Sequence, residues 1–103
     1  MIVVFTDAAE ADLENISDYI ARKNPQSAVT FVDKLVERCR SLAGMPDRFP
    51  LLSRDPQKRI RRLVHRNYLI FYVVLHERVD ILHILNGARD YEAILFSFDD
   101  EPL

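Results

Sequence analysis

Hydrophobic and polar positions divide this chain into a helical half and an extended half. Between residues 7 and 23, Leu13, Ile16 and Ile20 fall on one face with Ala9 beside them, the period of an amphipathic helix. Thr6 and Asp7 are both good N-cap types, and Glu10 stands three residues after Asp7, where it completes a box-like cap. Asn24-Pro25 then restarts the chain as an N-cap followed by proline at the first helical position. The second helix carries the clearest stripe: Ala28, Phe31, Val32, Leu35, Val36, Cys39 and Leu42, at offsets 0, 3, 4, 7, 8, 11 and 14. Gly44 and Pro46 end it, and so short a link between the helices predicts an antiparallel hairpin.

From residue 59 the period changes. Tyr68 to Leu75 is apolar at both parities and rich in β-branched and aromatic residues, so it reads as a strand covered on both faces. Before it, Ile60, Arg62 and Val64 alternate with Arg59, Arg61, Leu63 and His65; after it, Val79, Ile81 and Leu85 share a parity with His83. Arg66-Asn67 and Glu77-Arg78 are the breaks, each the length of a tight turn, which predicts a three-stranded meander with residues 68–76 in the middle. Ile2–Phe5 has the length of a further strand, expected at an edge and antiparallel to one of the meander strands. Residues 45–57 hold three prolines and no period; they predict a loop anchored by Phe49, Leu51 and Leu52. Tyr91, Ile94, Leu95, Phe96 and Phe98 make the tail too apolar for a free end, either a short helix or an extended strip. The order β-α-α-β-β-β predicts one α+β domain over residues 1–103, a helix hairpin packed on one face of a small antiparallel sheet.

Composition narrows the class. With 103 residues, 49% of them hydrophobic and 29% charged, the chain suits one globular domain and not a disordered one. It shows no signal-peptide pattern and no apolar run near the ~20 residues of a membrane helix. A single cysteine, Cys39, excludes an internal disulfide and suits the cytoplasm. The net charge of −2 hides a segregation. Acids precede the first base, Arg22; Arg54, Lys58, Arg59, Arg61, Arg62 and Arg66 then form a basic block, and acids return at the C-terminus. That block is the only feature that favours an anionic partner.

Candidate chemistry is sparse. His65, His76 and His83 are dispersed, none evidently paired with a carboxylate, and no metal-ligand spacing, phosphate loop or nucleophile elbow occurs, so neither a metal, a cofactor nor a catalytic set is expected. In a pleated strand Arg59 and Arg61 point to one side, Lys58 and Arg62 to the other. Such a strand is either a solvated edge that deters pairing or a face for an anionic partner. Asn86-Gly87-Ala88-Arg89-Asp90 closes the last strand; Gly87 is expected to supply a geometry that a side chain hinders. Arg89 pairs with Asp90, holds the tail or meets a ligand.

Five ordered pieces carry a resemblance: Ala-x-Ala-Asp-Leu-x-x-Ile-x-x-Tyr-Ile (9–20), Asn-Pro-x-x-Ala-x-x-Phe (24–31), Arg-x-Leu (61–63), Asn-Tyr-Leu-Ile-Phe-Tyr (67–72) and Ile-Leu-x-Ile-Leu-x-Gly-Ala-Arg-Asp (81–90). Together they resemble the ParE branch of the RelE/ParE toxin superfamily. The resemblance implies a helix hairpin on a small antiparallel sheet, a ParD-like antitoxin whose C-terminal segment wraps the toxin, and DNA gyrase as the target. It also implies a toxin–antitoxin hetero-oligomer in the cytoplasm, with no membrane and no sequence-specific nucleic acid. RelE members cut mRNA on the ribosome instead. Arg89 matches the arginine of the last strand and Arg62 a basic residue of the second, but the nuclease positions of the middle strand and C-terminus fall on Leu69 and Leu95. A set reduced to arginines stabilises charge without shuttling protons, which implies a toxin that binds and does not cut. The pattern further departs at Asn86, where many ParE chains carry His. The alternatives are a RelE-like interferase and an inactive member that only binds its antitoxin. The residues expected at partner contacts are Arg59, Arg61, Arg62, Tyr68, Tyr72, Arg89, Tyr91, Ile94, Leu95 and Phe96.

Overall fold

Thr6 joins the first strand to the first helix and fixes both. In the computed structural model, which describes residues 1–52 and 54–96, β1 (Ile2–Phe5) leads through Thr6 into α1 (Asp7–Ala21). The Thr6 hydroxyl accepts from Ala9 N–H at 3.2 Å and donates to Ile81 O at 2.8 Å. A carboxylate only accepts, so Asp7 has no means of making both bonds, and the cap falls on Thr6 instead of an Asp7–Glu10 box. α2 (Pro25–Arg40) starts as expected: Asn24 Oδ1 accepts from the Gln26 and Ser27 amides, with Pro25 at the first position. A 3-10 turn over Ser41–Ala43 completes the stripe with buried Leu42.

β2 (Arg61–His65), β3 (Tyr68–Leu75) and β4 (Arg78–Asn86) form the meander, with sheet order β1-β4-β3-β2. The second turn is His76-Glu77, one residue earlier than expected, and β3 stops at Leu75. Arg66 and Glu77, in the two turns, hold φ of 55° and 60°, left-handed values at which side chains are disfavoured. β1 lies at an edge but runs parallel to β4, pairing Ile2 with Arg78 and Phe5 with Ile81, so the sheet is mixed, not antiparallel. Alternation decides which side chains of a short strand face the core; it carries no information about direction.

The two faces of the sheet have separate cores. Between the hairpin and the sheet, Leu35, Cys39 and Leu42 meet Leu63, Ile70, Tyr72, Val79, Ile81 and Ile84. On the opposite face Ile60, Phe71, Leu85 and Phe96 form a second cluster, with Ile94 and Leu95 packed against it. The tail resolves this way: α3 (Tyr91–Phe96) is a short helix lying on the face that the hairpin leaves uncovered. Phe98 lies outside the described residues. A register shift between Phe71 and Tyr72 lets β4 pass Leu82 as an extra residue. The loop is anchored by Phe49 on one core and Leu52 on the other, with Leu51 bridged to Arg61 and a 3-10 turn over Pro56–Lys58.

Candidate partner-binding surface

Arg61 opens β2 on the hairpin side, where a guanidinium has to find acceptors or stay unsatisfied. It finds three: Nη1 donates to Phe49 O at 2.6 Å and to Asp47 O at 3.2 Å, and Nη2 lies 3.5 Å from Asp47 Oδ1. Its cross-strand partner Tyr72 is fully buried and donates its hydroxyl to Pro46 O at 2.9 Å. Burial above all pushes the Tyr72 phenol above its ordinary range. The two residues expected at a partner contact therefore clamp the 46–49 loop from within. Arg59 is not in the strand; it caps the 3-10 turn at φ 56° and is exposed, which ends the Arg59/Arg61 alternation before it starts.

Arg62, one residue on, points to the α3 face. Its Nη1 donates to the Tyr91 hydroxyl at 3.4 Å, and the Tyr91 ring packs 5.0 Å from Phe71. Arg54 lies over the Phe96 ring at 4.9 Å and pairs with Glu92 at 3.4 Å. A cavity of about 150 Å3 opens among Leu52, Arg54, Arg62 and Tyr91. Tyr91, Ile94 and Leu95 are half-buried, whereas Phe96 is 2% exposed. Arg62 and Tyr91 thus line one cavity, Ile94 and Leu95 pack half-buried on the cluster beside it, and Phe96 belongs to the core beneath.

Arg89 stands apart from that surface. With Asp12, Tyr19, Tyr68 and Asn86 it lines a cavity of about 380 Å3 between α1 and the end of β4. Tyr68 is buried, its ring 5.5 Å from Phe31, and shows the cavity only its edge of exposed surface. Arg89 is exposed, and among the described residues no carboxylate, Asp90 included, lies within ion-pair distance of it. Asp90 instead caps α3, accepting from Ala93 N–H at 3.3 Å. Gly87 has no positive φ, and a Cβ there meets Asn67 O at 3.5 Å, an ordinary contact, so no special geometry is needed.

One pairing escaped the sequence. Asp12 Oδ2 lies 2.8 Å from His83 Nδ1 and accepts from Ile84 N–H at 2.9 Å. Because an ionised carboxylate only accepts, Nδ1 carries the proton. The signal was present: Asp12 follows Ala9 by three residues and precedes Ile16 by four, an acid set into an apolar stripe. Among the described residues no group of three His, Cys, Asp or Glu side chains is placed to hold a metal ion. No helix there is long and apolar enough to cross a membrane.

Comparison with known proteins places this geometry. No curated protein matches the chain. A solved chain of the chromosomal ParDE TA system from P. aeruginosa superposes with a TM-score of 0.71 at 27% identity, covering 84% of this chain and 95% of that one. The model of the family described as ParE toxin of type II toxin–antitoxin system, parDE, matches residues 3–91, from β1 through all four strands to the first residue of α3. The chain belongs to the ParE family of type II toxins.

Proposed function

We propose that this toxin inhibits growth by binding DNA gyrase, without catalysis of its own, and is neutralised by a ParD-like antitoxin. The observation that carries the reading is the pair of leucines at the positions where nucleolytic relatives hold reacting groups. Leu69 and Leu95 both pack against the Phe71–Phe96 cluster, an apolar setting that offers no proton to a 2′-hydroxyl. Partner contacts fall to the accessible members of the expected set: Arg62, Tyr91, Ile94 and Leu95 on the α3 face, with Arg59 and Arg89 beyond it. Half-buried apolar residues ringed by arginine have the make-up of a recognition surface.

The test pairs two assays on the purified toxin. Inhibited supercoiling or trapped cleavage complexes with gyrase, and intact mRNA on reconstituted ribosomes, are expected. One observation favours the interferase as a second reading: Asp12, which holds His83, lines the same cavity as Arg89. Ribosome-dependent cuts lost in Arg89→Ala or His83→Gln, with gyrase unaffected, decide for that alternative.

A further inference from the structure

β1 ends the sheet, and its outer edge is bare. Bonds from Ile2 N–H to Glu77 O and from Thr6 N–H to Ile81 O fix the parallel ladder, so Ile2, Val4 and Thr6 direct their backbone groups at β4. Val3 and Phe5 turn theirs outward, and among the described residues no segment pairs with them. Exposed strand edges commonly carry a charge, a proline or a bulge that deters pairing. Ile2-Val3-Val4-Phe5 has none of these.

The surroundings of this edge are apolar on both faces. Val3 and Phe5 pack on the hairpin core, so Ile2 and Val4 face the opposite side, where they are 64% and 37% exposed. The cluster beneath α3 does not extend to them. Beside them β4 carries Arg78 and Asp80, already paired with each other at 2.8 Å. On the hairpin side a cavity of about 320 Å3 next to Val3 has Arg40 as its only charged side chain, and that guanidinium lies over the Phe5 ring at 5.7 Å. The edge thus calls for an uncharged, apolar strand, and the strand in this chain that answers is β1 itself.

A second copy fits in one register. About a two-fold axis at Val4, antiparallel pairing sets Val3 opposite Phe5 of the other copy, and the outward groups of both residues are satisfied. An axis at Val3 sets Phe5 opposite Met1, outside the strand, and an axis at Phe5 sets Val3 opposite Asp7, already in α1. The Val4 axis also places Val4 against Val4 in a pair without hydrogen bonds, where Cα atoms stand about 4.5 Å apart. Ile2 falls opposite Thr6, far from its own counterpart.

We propose that the toxin self-associates by antiparallel pairing of β1 with β1 of a second copy about a two-fold axis at Val4, joining two four-stranded sheets into one. The contact is self-complementary and closes at the dimer. A strand of four residues buries little area, which places it among weak, transient interfaces. The inference does not rest on the functional reading above.

The test uses the full chain, with Cys39 left in its buried place. Val4→Cys is expected to cross-link to a disulfide dimer under mild oxidation, because the pair on the axis lies within the Cα separation that a disulfide spans. Ile2→Cys is expected to cross-link severalfold more slowly, although it is the more exposed position and random collision would favour it. Sedimentation of the unmodified toxin should give a mass that climbs from one chain toward two with concentration. Val4→Lys sets like charges against each other on the axis and should raise the dissociation constant by about tenfold or more. Circular dichroism should show its fold kept, since that side chain already meets solvent. Cross-linking of Ile2→Cys as fast as Val4→Cys, a single-chain mass at every concentration, or a dimer untouched by Val4→Lys each overturn the proposal.

Discussion

The Asp12 carboxylate holds His83 at 2.8 Å across 71 positions of sequence, and the same oxygen takes the Ile84 amide. β1 has already ended at Phe5, opposite Ile81, so beyond that point β4 has no strand neighbour on this side among the described residues. Asp12 supplies the acceptor that a longer β1 would have supplied. The pair is thereby tied to the joint between α1 and the sheet.

Asp12→Ala is expected to lower stability by about 1–3 kcal/mol, the range for stranding a hydrogen-bonded polar group in a part-buried site. His83→Gln costs less, because Asp12 keeps the Ile84 amide. Urea melts of both variants check this. Loss of growth arrest with unchanged melting would show that the pair does chemistry and not anchoring.

Phe96→Ala is expected to cost about 3–5 kcal/mol, as large-to-small changes in a closed core do, since Phe96 seals Phe71 and Leu85. Ile94→Asp, at a half-buried position of the same short helix, is expected to reduce growth arrest with a smaller loss of stability. Circular dichroism melts beside plate toxicity separate the two. Equal melting losses would make α3 purely structural.

Cys39 is expected to be inert in the native toxin. It is fully buried on the α2 stripe, and burial pushes its thiol up to about 12 against a smaller opposing pull from Arg40. Little thiolate therefore exists at neutral pH, and none of it is reachable. Iodoacetamide should label the chain only under denaturant; fast native labelling would mean that the hairpin opens.

His65 gives a pH dependence whose sign is fixed. Its folded value lies below the ordinary 6.5, through burial first and then Arg38 and Arg66. As pH falls through 6.5 the unfolded chain takes up the proton first, so stability declines until the folded imidazole is protonated as well. NMR titration of the ring should show the lowered midpoint, and Arg66→Ala should move it upward. The decline in stability should shrink in His65→Gln; an equal decline would assign it to other groups.

Much of this fold was legible. The α2 stripe from Ala28 to Leu42, the Asn24-Pro25 restart and the unbroken apolar run of β3 each follow from local chemistry, and each is present. What stayed hidden depends on partners distant in sequence. Arg61 and Tyr72 look like surface chemistry until the 46–49 loop folds under them, and nothing local says that Pro46 and Phe49 carbonyls will be waiting. The direction of β1 is likewise set by where Thr6 meets β4. Of the residues expected at partner contacts, Arg62 and Tyr91 meet through a hydrogen bond, Ile94 and Leu95 pack on the cluster beneath α3, and Arg89 borders a different cavity.

The parallel pairing of β1 with β4 also joins two strands distant in sequence. Thr6 bonds Leu82 across 76 positions of sequence, so β1 pairs with the strand that lies farthest from it along the described chain. Contacts this distant close slowly, and until they do, β1 and the outer side of β4 are exposed to other chains.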